Sequence, residues 1–134
     1  MQRQVYMDYN ATTPVHPEVL DEMLPYLRNS FGNPSSIHWE GRHAKQAVEL
    51  ARERVAGLVT CDPSEVIFTS CATESNNTAI KGVAAACRSK GNHLVTTMVE
   101  HPAVITPCLY LEHQGYQTTC LDVNSEGLLD LEAL

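Results

Sequence analysis

Val66-Ile67-Phe68-Thr69-Ser70-Cys71-Ala72-Thr73-Glu74-Ser75-Asn76-Asn77 is the stretch whose reading decides the fold. It opens with a short apolar run rich in β-branched and aromatic residues, which predicts a buried strand over residues 66–68. Small and hydroxyl residues then lead into a segment, residues 78–87, where Ala79, Ile80, Val83, Ala84 and Cys87 recur at helical spacing. A strand that enters a helix through small residues makes an anion site. First-turn amides have no helical acceptor, and the helix dipole favours negative charge there. Ser70 and Thr73 add hydroxyl donors. The competing reading makes Thr73 the N-cap of a structural helix. Glu74 argues against an anion unless its carboxylate points away.

A second stretch shifts the balance. Leu94-Val95-Thr96-Thr97-Met98-Val99 reads as another buried strand and ends in Glu100-His101-Pro102. A helix follows at once, with Ile105, Cys108 and Leu109 on one face. Two successive strand-to-helix turns lie at the same carboxyl edge of a parallel sheet, where ligands bind. The turn at Thr73 and His101 are therefore expected to face one pocket. Taken alone, His101 reads as a cap on the Pro102 helix.

Working outward, residues 117–121 read as a further strand, Asn124-Ser125-Glu126-Gly127 as a turn, and residues 128–134 as the start of another helix. This alternation predicts an α/β fold, a mainly parallel sheet with helices on both faces. The N-terminal third is largely helical. Pro17 opens a first helix, with Val19, Leu20, Met23, Leu24 and Leu27 on one face, and Pro25 is expected to kink it or end it early. Residues 29–36 are dense in turn formers. A long helix over residues 37–59 keeps the 3.6-residue period at Ala44, Ala47, Val48, Ala51, Val55, Leu58 and Val59. Its polar face offers Lys45 and Glu49 as an attractive pair.

Bulk properties narrow the function. With 134 residues, one domain is the prior. A formal net charge of −7 and a pI near 5.2 argue against nucleic acid or an anionic membrane surface as a partner. Met1-Gln2-Arg3-Gln4-Val5-Tyr6 lacks the apolar core of a signal peptide, and no run is long enough to span a bilayer. A cytoplasmic location is expected. Cys61, Cys71, Cys87, Cys108 and Cys120 are widely spaced with no CxxC, so neither a zinc site nor a disulfide framework is suggested. Most are expected to be buried as small hydrophobes.

At four places the sequence resembles one family. Asp8-Tyr9-Asn10-Ala11-Thr12-Thr13-Pro14, Phe31-Gly32-Asn33-Pro34-Ser35-Ser36-Ile37-His38, residues 68–77 and Glu100-His101-Pro102-Ala103-Val104 are similar to motifs of NifS/IscS-like cysteine desulfurases. These are fold-type I, pyridoxal 5'-phosphate (PLP) enzymes of the class V aminotransferase family. The resemblance implies Ala72 and Thr73 at the cofactor phosphate and His101 stacked on the pyridine ring, with a catalytic role in proton transfer. It implies Asn10 and Asn33 near the substrate, L-cysteine, which is converted to L-alanine as its sulfur passes to an acceptor or scaffold protein for iron-sulfur cluster assembly. It also implies a homodimer.

The family fold is about three times this length, beyond an ordinary single domain. The resemblance places residues 1–30 as an N-terminal segment and residues 31–134 as the start of the large cofactor-binding domain. It places the Schiff-base lysine, the acid at the pyridine nitrogen and the persulfide-carrying cysteine later than Leu134. Lys45, Lys81 and Lys90 match none of these motifs. The chain by itself is therefore expected to be inactive and not to be a stable monomer. Two further readings stand beside this one: a non-catalytic truncated binding or assembly module, and another enzyme of the superfamily, such as a selenocysteine lyase or a kynureninase-like hydrolase.

Overall fold

The structure is a computed structural model that describes residues 4–133. Met1, Gln2, Arg3 and Leu134, on which the leader reading and the end of the last expected helix fall, lie outside the described residues. The chain forms two compact units, one ending at Ile67 and the other beginning at Phe68.

In the first unit, helix α1 spans Pro17–Arg28, with Pro17 in the opening turn and Glu18 at the positive helix end. Pro25 does not end it. A proline removes one ladder bond, but the carbonyl of Pro25 still collects the amides of Asn29 and Ser30 at 2.9 Å and closes the last turn. Helix α2 spans Trp39–Val59 and is capped by His38, whose Nδ1 accepts from the Gly41 amide at 3.4 Å. Gly41 is buried, and a Cβ there would lie 2.7 Å from the Asn33 carbonyl oxygen. The turn-rich loop therefore sits directly on the first turn of α2. The ion pair on α2 joins Glu49 to Arg52 at 3.3 Å, one residue closer than an i,i+4 partner, in place of Lys45 with Glu49. The helix ends on Thr60 in the left-handed region, φ 58 and ψ 48. A 3₁₀ turn at Pro63–Glu65 follows, closed by a reciprocal box in which Asp62 accepts from Ser64 and Glu65 accepts from Asp62.

The strand expected over residues 66–68 does not form. Val66 is extended, φ −87 and ψ 121, and its carbonyl accepts from Arg52 Nη1, but no described strand pairs with it. Apolar β-branched residues make a segment extended, whereas a strand needs a ladder partner.

The second unit holds α3 (Ala72–Ala86), β1 (His93–Thr97), α4 (Pro102–Glu112) and β2 (Gln117–Leu121). The two strands are parallel, in register from His93↔Gln117 to Thr97↔Leu121, with α4 as the crossover. The α/β reading is borne out. Helix α3 starts at Ala72, well before Thr78, and its N-cap is Cys71, not Thr73. After β2 the expected helix at residue 128 is replaced by an antiparallel bridge, Val123↔Leu129, and a single 3₁₀ turn at Leu131–Ala133. Gly127, at φ 79, lets the chain reverse there.

Ala84, Leu111 and Tyr116 form the buried centre of this unit, with Ile80 and Leu94 packed against it. Three contacts fix α3 beside α4. Lys81 Nζ lies 4.6 Å from the Tyr110 ring centroid, the Tyr116 hydroxyl donates to the Ala84 carbonyl at 2.7 Å, and Arg88 Nη2 donates to the Gln114 carbonyl at 3.0 Å. Lys81 meets Tyr110 in the later half of both helices and Arg88 meets Gln114 just past both C-termini, so like ends pair and the two helices run parallel. Their starts lie at the end where β1 finishes. Of the five cysteines only Cys108 is buried; Cys61 and Cys87 are half-buried and Cys71 and Cys120 exposed, with Cys61, Cys71 and Cys87 at or just beyond helix ends, where packing is thinner than inside an element.

Candidate functional site

The site is built from two helix starts in the second unit. At α3 the first ladder bond is Ser75 N–H to Cys71 carbonyl, at 3.1 Å, so the amides of Ala72, Thr73 and Glu74 precede the ladder. Glu74 has its carboxylate folded back. Oε2 accepts from the Ser70 amide at 2.7 Å and from the Ser70 hydroxyl at 2.6 Å. These two bonds, the hydroxyl first, hold the carboxyl below its ordinary range. A second tie crosses the same turn: Thr69 Oγ1 and Ser75 Oγ lie 2.6 Å apart, and Ser75 Oγ donates to the Cys71 carbonyl at 3.3 Å. The Cys71 thiol is exposed and is lowered in pKa mainly by the Glu74 amide and then by the Ser70 hydroxyl.

Thr73 follows Ala72 in the first turn, and its carbonyl accepts from Asn77 Nδ2 at 3.0 Å. The expected hydroxyl donor Ser70 is instead committed to Glu74. Ahead of the ladder stand the first-turn amides, those of Thr73 and Glu74 set against the Cys71 sulfur, and the exposed Thr73 side chain, at the positive end of a 15-residue helix. That donor chemistry fits a phosphate dianion.

At α4, His101 is the N-cap, extended at φ −63 and ψ 147, and its Nδ1 accepts from the Ala103 amide at 3.0 Å. The capping geometry is therefore real. It also fixes the ring, because with Nδ1 accepting, a neutral imidazole carries its proton on Nε2. His101 is exposed.

Asn10 and Asn33 belong to the first unit. Asn10 lies in an exposed turn in which the Ala11 amide donates to the Asp8 carbonyl at 3.1 Å. Asn33 Oδ1 accepts from the Ser35 amide at 2.9 Å, an Asx turn that leaves Nδ2 as its outward donor. The sequence reading missed the Ser70–Glu74 clamp. The signal was present, since an acid in the first turn of a helix commonly reaches back to an amide before it. Among the described residues no group of three or more His, Cys, Asp or Glu is placed to hold a metal ion. No helix among them is long and apolar enough to cross a membrane.

The fold and the turn define an α/β unit with two helix N-termini gathered at the carboxyl end of a parallel strand. Residues 5–134 match the model of the aminotransferase class-V family, and the chain belongs to that family. It is 52% identical over 134 residues to the cysteine desulfurase IscS of Dictyoglomus turgidum, covering 100% of this chain and 34% of that protein. It is 53% identical over 133 residues to the human cysteine desulfurase, covering 98% of this chain and 29% of the relative. Among solved structures, a NifS-like protein superposes with a TM-score of 0.89 at 42% identity, covering 97% of this chain and 36% of that one. A structure titled SspA in complex with cysteine gives 0.85 at 41% identity, over 96% and 37% of the two chains. The chain thus spans about a third of the length of the relatives it matches.

Proposed function

We propose that this chain is the N-terminal part of a PLP-dependent cysteine desulfurase, the enzyme that takes sulfur from L-cysteine and releases L-alanine. The observation that carries the reading is the pair of helix starts, with Ala72 and Thr73 in the first turn of α3 and His101 capping α4, in a chain about half identical along its whole length to proteins named cysteine desulfurase. PLP, when bound, supplies an electron sink for bond breaking at an amino acid. The Ala72 and Thr73 amides and the Thr73 hydroxyl hold its phosphate. His101, locked by the Ala103 amide, would lie against the pyridine ring and present Nε2 as its proton-exchanging nitrogen. Asn10 and Asn33 serve the substrate side.

Residues 31–134 make up the start of the cofactor-binding domain. The groups that hold the cofactor covalently and carry the sulfur come from the remainder of the enzyme, so residues 1–134 alone release no sulfide. The enzyme is a homodimer of the cytoplasm that hands sulfur to an acceptor or cluster scaffold protein. A selenocysteine lyase is the nearest competing activity. Thr73→Ala in the intact protein tests the reading. Loss of a charge-assisted hydrogen bond weakens PLP binding by roughly 1–3 kcal/mol, read by titrating the apo protein through the cofactor's visible absorbance. Unchanged affinity, or no sulfide from L-cysteine with the intact protein, would overturn it.

A further inference from the structure

We propose that Glu74 is the positioning residue of the phosphate turn: its carboxylate staples the chain across the start of α3 and so aims the Ala72 and Thr73 amides outward. The inference rests on the phosphate reading above and adds a residue that the reading does not use.

An acid in the first turn of a helix that receives a dianion poses a like-charge problem. It can compete for the free amides, or it can be tied elsewhere. Both hydrogen bonds of the Glu74 carboxylate come from Ser70, at 2.7 Å from the amide and 2.6 Å from the hydroxyl, and neither comes from Ala72 or Thr73. Ser70 stands before the N-cap, so the clamp spans Cys71, whose extended backbone, φ −167 and ψ 169, is where the chain turns from extended to helical. The Thr69–Ser75 contact at 2.6 Å crosses the same residue. Two ties thus bracket one reversal. Without them the turn samples other conformations, and binding must first restore the one that presents the amides. The clamp also accounts for the Ser70 hydroxyl, which is held by Glu74 and withheld from the ligand.

The test uses the intact apo protein titrated with PLP and, separately, with pyridoxal, which lacks the phosphate. Glu74→Ala is expected to weaken PLP binding by about tenfold, the weight of a charge-assisted hydrogen bond, and to leave pyridoxal binding unchanged. Glu74→Gln keeps an acceptor for both Ser70 donors and is expected to restore PLP affinity to within about twofold of the parent. Ser70→Ala removes one of the two bonds and keeps the other, so a fall of about threefold is expected even where Glu74→Ala is too unstable to titrate. Unchanged or tighter PLP binding in Glu74→Ala or Ser70→Ala would overturn the proposal, because a competing carboxylate predicts that sign. A parent protein that binds PLP no better than pyridoxal would instead overturn the phosphate reading itself. The phosphorus-31 resonance of bound PLP gives a second readout: it shifts in Glu74→Ala and returns in Glu74→Gln, and an unmoved resonance in Glu74→Ala counts against the clamp.

Discussion

Tyr116→Phe removes one oxygen from the centre of the second unit. The Tyr116 hydroxyl donates to the Ala84 carbonyl at 2.7 Å, and both residues are buried. Ala84 sits in the last turn of α3, among the carbonyls that have no amide ahead of them. The helix ladder closes on Val83, which takes the Cys87 amide at 2.9 Å, so Tyr116 supplies the cap that Ala84 otherwise lacks. Phenylalanine keeps the ring and its place 4.9 Å from the Arg88 guanidinium. The loss is therefore the hydrogen bond plus an unsatisfied buried acceptor, about 1.5 kcal/mol. With an m-value of about 2 kcal/mol/M, the urea midpoint falls by about 0.7 M. Far-UV circular dichroism of the intact protein reads the midpoint, and amide exchange in α3 and α4 reads where the loss falls. Tyr116→Leu loses ring packing as well and is expected to cost about 2 kcal/mol more. A Phe variant with the parent midpoint and unchanged exchange at Ala85 and Cys87 would refute the cap, showing that water serves Ala84 equally well.

His101→Ala in the intact protein is expected to alter the visible absorbance of bound PLP and to slow turnover while thermal stability falls by no more than about 1 kcal/mol, the worth of its cap on α4; a normal spectrum with normal turnover refutes the ring contact. Thr60→Gly is expected to raise stability by about 0.5–1 kcal/mol, since relieving a β-branched residue at φ 58 outweighs the added freedom of glycine when unfolded; a lower melting temperature would count against strain at that C-cap. Cys71 is expected to alkylate with a pH midpoint below that of the same thiol in the unfolded chain, because the folded turn lowers its pKa from the ordinary value of 9.0 and the thiolate is the reacting form. Burial pushes Cys108 the other way, with Cys120 and Glu112 adding to it, so its alkylation begins only at higher pH; peptide mass mapping after timed iodoacetamide pulses reads both, and coincident profiles would refute them.

Local pattern determined much of this protein. The period of α2 was legible because its apolar residues recur every turn, and residues 117–121 were legible as a strand because β-branched residues run between clear turn signals. His101 could be placed at a helix start because Pro102 fixes the first helical position. Family membership was legible in four short motifs, and residues 5–134 match the class-V aminotransferase model. Residues 66–68 were misread because composition sets an extended backbone, whereas only a neighbouring ladder makes it a strand. The start of α3 was misplaced because Cys71 is a weak cap by type, and the turn is set instead by the Ser70–Glu74 bonds. Tyr116 and Ala84 lie far apart in sequence, and no local signal joins them. Their meeting, and the parallel packing that brings two helix starts to one end, came from burying one shared apolar centre, which only the folded chain can do.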